Sequence, residues 1–369
     1  MNIINRVIAG IVGAVFVFSG LLKLNDPIGT EIKLEEYFEV FKADQSLGLS
    51  ALSGFWEVLL PYSLALAVML STFEIILGVR IALWYKIRNT LLSLLVLLIF
   101  FGFLTFYSAY FNKVTDCGCF GDAIKLTPWQ SFWKDMLLLA ATVFLAVQNW
   151  RNATITQPTN PAIGFWASTA ASFFSLGLAI YTISYLPLID FLPYKVGAHI
   201  PTLMKPSAEL RYEYIMEKNG KQETFQQYPT DTTYKFKEAK LINPEDMPKI
   251  TDYNIWNDTG NYKDSTFKGK KLLVIIQEPQ KSFWNNFATI EALAKALKQK
   301  NIQTMLVTAS DQKTFLQFKK EFNITIPHYF ADKTVLKTMI RANPGLIYLE
   351  NGTIKAKWHY NRLPSDADF

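Results

Sequence analysis

The chain has 369 residues, half of them hydrophobic, with 28 Phe, nine Trp and a mean hydropathy of +0.13, a composition that excludes a wholly soluble protein. The net charge of +6 is uneven: from residue 191 onward 26 Lys and Arg face 19 Asp and Glu, so the basic surplus belongs to the part that reads as soluble. Such a surface suits anionic headgroups or an acidic partner, or is simply solvated, and no nucleic-acid partner is expected.

Five stretches are apolar enough to cross a bilayer, which takes roughly 20 residues. They run from Val7 to Leu24, Pro61 to Leu83, Leu91 to Tyr110, Met136 to Trp150 and Ile163 to Leu188. The first follows Arg6 with no small-residue cleavage site after it and reads as a retained anchor. The fourth is short and needs its flanks, Trp133-Lys134 and Trp150-Arg151, to reach both interfaces. Between the first two lies a stretch from Asn25 to about Phe55, read as a loop, in which acidic residues outnumber lysines.

Arg6, the group Arg80, Lys86 and Arg88, and Arg151 all fall on one side of this arrangement, which the positive-inside rule makes cytoplasmic. An odd number of crossings then puts the N-terminus in the cytoplasm and everything after Leu188 across the membrane, in the periplasm if the membrane is a bacterial inner membrane. A disulfide persists in that compartment.

The linker Asn152 to Pro161 has turn composition, with Pro158 and Pro161. Beyond the fifth segment, Tyr212 to Glu217 and Gln222 to Phe225 flank Asn219-Gly220, a hairpin signal. From about Lys249 the pattern predicts a strand over Lys271 to Ile276, a helix over Phe283 to Lys298, a strand over Ile302 to Val307 and a helix over Thr314 to Phe322. A hairpin of Gly345 to Leu349 and Thr353 to Trp358 across Asn351-Gly352 follows. That order describes a thioredoxin-like α/β sandwich.

The only two cysteines are one residue apart, in Cys117-Gly118-Cys119-Phe120-Gly121 between the third and fourth segments. A disulfide across one residue closes a small, strained and easily reduced ring, which favours a redox pair. Gly118 lowers the backbone cost of the ring, and Lys113, Lys125 and Lys134 flank it as candidate thiolate stabilisers. A local disulfide that only stiffens the loop is the alternative. No metal site is expected, because two thiolates fall short of a four-ligand shell and the membrane half has no histidine.

Glu74 lies deep in the second segment, where an ionisable side chain is costly and faces the bundle interior. Two roles stay open for it: accepting a proton in thiol or quinone chemistry, or pairing with Lys23 or Arg80 to hold helices together. Trp129 and Trp133 are candidate quinone-pocket residues or interfacial aromatics.

The membrane half resembles the DoxX and MauE group of bacterial helical-bundle proteins. The matching residues are Arg6, Phe18, Gly20, Lys23, Asp26-Pro27, Glu74, Gly78 and the Cys117-Gly118-Cys119-Phe120-Gly121-Asp122 element. This resemblance implies a four-helix core over residues 1–150, a redox-active cysteine pair, and a membrane redox role that reaches a quinone or a thiol protein. The soluble half is similar to membrane-tethered thiol-disulfide oxidoreductases through Ile250 to Gly260, Phe267 to Lys271 and Asn343-Pro344-Gly345-Leu346, the last matching that family's cis-proline strand. It departs where that family carries Cys-x-x-Cys: this chain has Glu278-Pro279-Gln280-Lys281-Ser282-Phe283-Trp284. The resemblance therefore implies a domain that exchanges no disulfides, and that either docks a partner or an extended peptide near Pro344 and Trp284 or is only a degenerate scaffold.

The sequence thus describes a membrane α-helical bundle (1–150), a linker with a fifth transmembrane helix (151–190), a hairpin-containing connector (191–247) and a thioredoxin-like α/β domain (248–369). The expected function is thiol-disulfide exchange at a periplasmic Cys117/Cys119 pair, with Glu74 assisting and a quinone or a partner protein as electron sink. The competing expectation is a non-catalytic envelope scaffold, with transport a weaker third reading.

Overall fold

A computed structural model of the protein describes residues 3–114, 118–151, 160–218 and 220–369. Cys117, Asn219 and most of the Asn152 to Pro161 linker fall outside these residues. The chain divides into two compact units at Phe191/Leu192.

Unit one is helical. Helix α1 (Ile3–Asn25) ends where Asp26-Pro27 turns the chain into α2 (Pro27–Ala43). Proline suits the first helical position because its missing N–H has no partner there anyway, and the Asp26 carboxylate accepts from the Gly29 N–H at 2.8 Å. The Asn25 to Phe55 stretch is therefore largely helix, not loop. Its acidic residues lie between buried Leu34, Tyr37, Phe38 and Phe41, and that mixture hides the helical period.

Next come α3 (Ser53–Leu59), α4 (Ser63–Ala82), α5 (Ile87–Phe111), α6 (Pro128–Arg151) and α7 (Pro161–Ser184). Five helical stretches among the described residues are long and apolar enough to span a bilayer: Ile3–Asn25, Leu49–Ala82, Ile87–Phe111, Pro128–Trp150 and Pro161–Ser184. The fourth span is of full length because Lys134 and Asp135, which look like its end in the sequence, neutralise each other inside the helix at 2.8 Å.

Helices α1 and α4 approach most closely at glycines. A Cβ on Gly13 would lie 2.6 Å from the Gly78 carbonyl oxygen, one on Gly78 2.7 Å from the Gly13 carbonyl oxygen, and one on Gly20 2.7 Å from the Ser71 carbonyl oxygen. Small residues allow this backbone contact, the usual device for joining helices in lipid. The core beside it is aliphatic and aromatic, with Phe16, Leu77, Ile81, Leu91, Leu94, Leu98 and Leu145 buried.

Unit two is mixed α/β and contains two sheets. The first is antiparallel, in the order β2-β1-β3, from β1 (Tyr212–Lys218), β2 (Lys221–Phe225) and β3 (Lys235–Leu241). The predicted hairpin is present, and β3 joins it across a bulge between Ile215 and Met216. Strand β3 is nearly all exposed and lysine-rich, so it carries little strand signal.

The second sheet has seven strands in the order β10-β9-β6-β7-β8-β4-β5. They are β4 (Trp256–Asn257), β5 (Gly260–Asn261), β6 (Lys270–Ile276), β7 (Gln303–Thr308), β8 (His328–Phe330), β9 (Gly345–Glu350) and β10 (Thr353–His359). Strands β6, β7 and β8 are parallel, while β9 and β10 return antiparallel. Every residue from Leu272 to Ile276 is buried, as a strand covered on both faces requires.

The unit's helices are the short α8 (Ile200–Leu203) and α9 (Lys263–Thr266), then α10 (Phe287–Gln299), α11 (Gln312–Glu321) and α12 (Lys333–Met339). Phe287, Ile290, Leu293 and Leu297 of α10 and Phe315 of α11 cover one sheet face, against Leu272, Val274, Ile276, Leu306 and Leu346. The pair β8 and α12 has no counterpart in the sequence pattern, because three residues make too short a run to register as a strand.

Candidate functional site

The site is a cavity of about 70 Å³ inside unit one, room for roughly five waters at 10–15 Å³ each. Each surrounding helix contributes a polar side chain to it. Ser19 and Lys23 come from α1, Thr30 and Lys33 from α2, Glu74 from α4, Thr105 from α5, and Lys134 with Asp135 from α6. Gly118 and Cys119 of the α5–α6 loop complete the lining.

Two ion pairs organise these groups, the first buried on both sides and the second with its lysine half-buried. Lys23 Nζ lies 2.6 Å from Glu74 Oε1, with side-chain exposures of 10% and 1%. The pair answers the choice between Lys23 and Arg80 as Glu74's partner. Arg80 instead donates to Ser168 Oγ at 3.3 Å, near the opposite end of the bundle. Lys134 Nζ lies 2.8 Å from Asp135 Oδ1, and Thr105 Oγ1 donates to Asp135 Oδ2 at 3.1 Å. Charges this deep persist only when paired and hydrogen-bonded.

Ser19 links the cysteine loop to the first pair. Its hydroxyl is 2.8 Å from Glu74 Oε2 and 2.9 Å from the Cys119 carbonyl oxygen, and its one proton serves those two acceptors. Ser19 and Lys23 sit four residues apart on one face of α1, which points both at α4. The loop reaches this depth through Gly118 and Gly121, at φ +64° and +55°, joined by a Gly121 N–H to Gly118 carbonyl bond of 3.1 Å. Phe120 then packs against Phe18 at 5.9 Å and lies under the Lys134 ammonium at 5.1 Å.

At the edge of the same loop Asp44, fully buried, accepts from Lys113 Nζ at 2.5 Å and from the Leu47 N–H at 3.0 Å. The Lys113 hydrogen bond, followed by that of Ser46, holds the Asp44 carboxyl well below the usual carboxylate range. The same contact raises Lys113. Lys113 thus anchors the end of α2 to the start of the cysteine loop, and of the three flanking lysines only Lys134 lines the cavity.

The candidate site residues divide clearly. Cys119 and Glu74 are brought together in one cavity. Cys117 lies outside the described residues. Trp129 and Trp133 do not line the cavity and are 48% and 61% exposed. The inward face of α6 carries Ser131, Asp135, Thr142 and Leu145, and a shift of two residues puts both tryptophans on the far side. In unit two Pro344 follows a cis peptide bond and is itself buried. Trp284 donates from Nε1 to the Pro279 carbonyl at 2.9 Å and stacks on Phe322 at 4.4 Å, so its ring packs inward against α11. The segment Glu278 to Trp284 is tied to the proline turn: Phe283 N–H donates to the Asn343 carbonyl at 3.0 Å, and Asn343 Nδ2 to the Glu278 carbonyl at 2.8 Å.

Residues 1–148 match the family of methylamine utilisation protein MauE. The five apolar helices agree with the membrane character of that family, and the chain is a multi-pass membrane protein. A second match, to a domain of unknown function, covers residues 210–242 and so coincides with the three-stranded sheet. Comparison with curated proteins and with solved structures gives no match.

Ser19, Thr105 and Asp135 were not singled out by the sequence reading. The available signal was polar residues at helical spacing from a charge inside an apolar span: Ser19 four before Lys23, and Asp135 beside Lys134.

Proposed function

We propose that the protein is a membrane thiol-disulfide oxidoreductase acting through Cys117 and Cys119. The observation that carries this reading is that Cys119 lines a buried cavity holding two ion pairs, a setting in which a thiolate and its proton can both be accommodated. The likeness of residues 1–148 to MauE supports a redox or accessory role in the membrane.

In the reaction a partner thiolate attacks one sulfur of the Cys117–Cys119 disulfide, forming a mixed disulfide and releasing the other cysteine as thiolate. A second partner thiol displaces the mixed disulfide, leaving the partner oxidised and the pair as a dithiol. Two electrons and two protons then pass to a quinone, which becomes the quinol, or to a second thiol protein. Lys134 lines the same cavity, and its positive charge there favours the thiolate.

The same reading places the cysteine loop and unit two in the bacterial periplasm, with the N-terminus cytoplasmic. It takes unit two as a thioredoxin-like domain without thiols that docks the partner near Pro344 and Trp284. The parallel β6 and β7 flanked by antiparallel β9 and β10, with cis-Pro344 entering β9, support that assignment.

The test is the redox state of the pair in intact cells by thiol alkylation and mass shift, followed by trapping with Cys119→Ser. A mixed population with a covalently trapped partner is expected. A pair that stays oxidised, resists reductant and traps nothing would overturn the reading in favour of an envelope scaffold.

A further inference from the structure

We infer that Glu74 takes the proton of Cys119, and that Ser19 is the positioning residue that holds the two side by side. This deepens the thiol reading above and rests on it.

Charge balance among partly enclosed side chains favours a proton acceptor within the cavity. Among the described residues, the ionisable groups facing the cavity besides Cys119 are Lys23 from α1, Lys33 and Tyr37 from α2, Glu74 from α4, and Lys134 and Asp135 from α6, while α5 contributes the neutral Thr105. Lys33 is matched at the rim by Glu36 at 3.2 Å. Inside, Lys23 offsets Glu74 and Lys134 offsets Asp135, so among the described residues these pairs leave no net charge while Cys119 is a thiol. Ionising Cys119 by losing its proton to bulk would leave one uncompensated negative charge where desolvation is costly. Moving the proton to a carboxylate within the cavity leaves the net charge unchanged. The S–H bond breaks, an O–H bond forms on the carboxylate, no electrons change hands, and Lys23 is left facing the new thiolate's side of the cavity.

Two carboxylates are available, and the geometry chooses between them. Ser19 spans 2.9 Å to the Cys119 carbonyl and 2.8 Å to Glu74 Oε2, fixing the loop residue against that acid. Asp135 is engaged by Lys134 at 2.8 Å and by Thr105 at 3.1 Å.

The experiment uses the full chain carrying Cys117→Ser, so that Cys119 is the only thiol, purified in detergent and alkylated with iodoacetamide across a range of pH. Ser19→Ala should move the midpoint of the rate profile up by about one pH unit, which slows alkylation at neutral pH about tenfold. Glu74→Gln alone strands the Lys23 charge, so Lys23→Met/Glu74→Gln, which removes both charges together, is the companion variant and should shift the profile in the same direction by at least as much. Thr105→Val, which loosens Asp135, should leave the profile in place. A folded Ser19→Ala or double variant with the parent's pH profile would overturn the inference, as would a Thr105→Val shift equal to that of Ser19→Ala, which would assign the proton to Asp135. Failure of the thiol reading itself shows separately, as the absence of any trapped partner in cells.

Discussion

Glu74 shows how a single buried charge constrains a membrane fold. Its carboxylate is 1% exposed and has Lys23 and Ser19 as partners, so truncating it leaves a buried ammonium without that counter-charge. Glu74→Ala should destabilise unit one by about 3–5 kcal/mol, whereas Lys23→Met/Glu74→Gln, which removes the pair together, should recover most of that loss. Thermal unfolding in detergent compares them, and equal losses in both would show that the pair contributes net attraction rather than mutual compensation. Asp44 makes a pH-dependent contribution. Because Lys113 depresses its carboxyl in the folded state, the stability it confers is complete above its unfolded pKa of about 3.9 and fades as pH falls below that value. Asp44→Asn should therefore melt at a lower temperature than the parent at neutral pH, and the difference should narrow in acid.

Among the elements, the α1–α4 pair depends most on residue size. A Cβ at Gly78 would meet the Gly13 carbonyl oxygen at 2.7 Å, and a backbone atom cannot swing aside as a side chain would. Gly78→Val should cost about 1–3 kcal/mol through overpacking, and it should also disturb the cavity, since Glu74 lies one helical turn away on α4. Lowered thermal stability together with a changed Cys119 alkylation rate is the expected pair of results, while an unchanged melting temperature would mean that the helices separate without penalty. Helix α2 is a different kind of element. Its capping aspartate and first-turn proline are plain in the sequence, but its alternation of Glu with Leu, Tyr and Phe gives no clean apolar stripe, and tertiary burial of Tyr37 and Phe41 identifies its inner face.

At the scale of the whole molecule, five spans set a testable topology. A periplasm-active reporter enzyme fused after Phe369 should be active in a bacterial host, and the same reporter fused in the α4–α5 turn near Lys86 should be inactive. The reverse pattern would invert the proposed orientation and move the cysteine loop to the reducing side of the membrane. In unit two the segment after β6, which carries no thiol, lies beside the cis-proline turn that enters β9. Asn343 instead bonds that segment to the turn, and Trp284 stacks inward on Phe318 and Phe322. With no cysteine in this unit, disulfide exchange there is ruled out by composition.

Residue types and their order were enough to indicate a membrane protein, five spans, an adjacent cysteine pair and an acid buried in the second span, because hydropathy and the cost of a charge in lipid are local properties. They also left Lys23 and Arg80 as alternatives for Glu74, and indicated the central strands of unit two, whose apolar runs are continuous. Contacts between distant segments were needed for the rest. Lys23 prevails over Arg80 because α1 crosses α4 at glycines, a close approach that places Ser19 and Lys23 against Glu74. The tryptophans of α6 fall outside the cavity because Asp135, held by Thr105 from α5, sets the rotation of that helix. A sequence records which side chains are costly to bury, whereas packing between helices determines which of them meet.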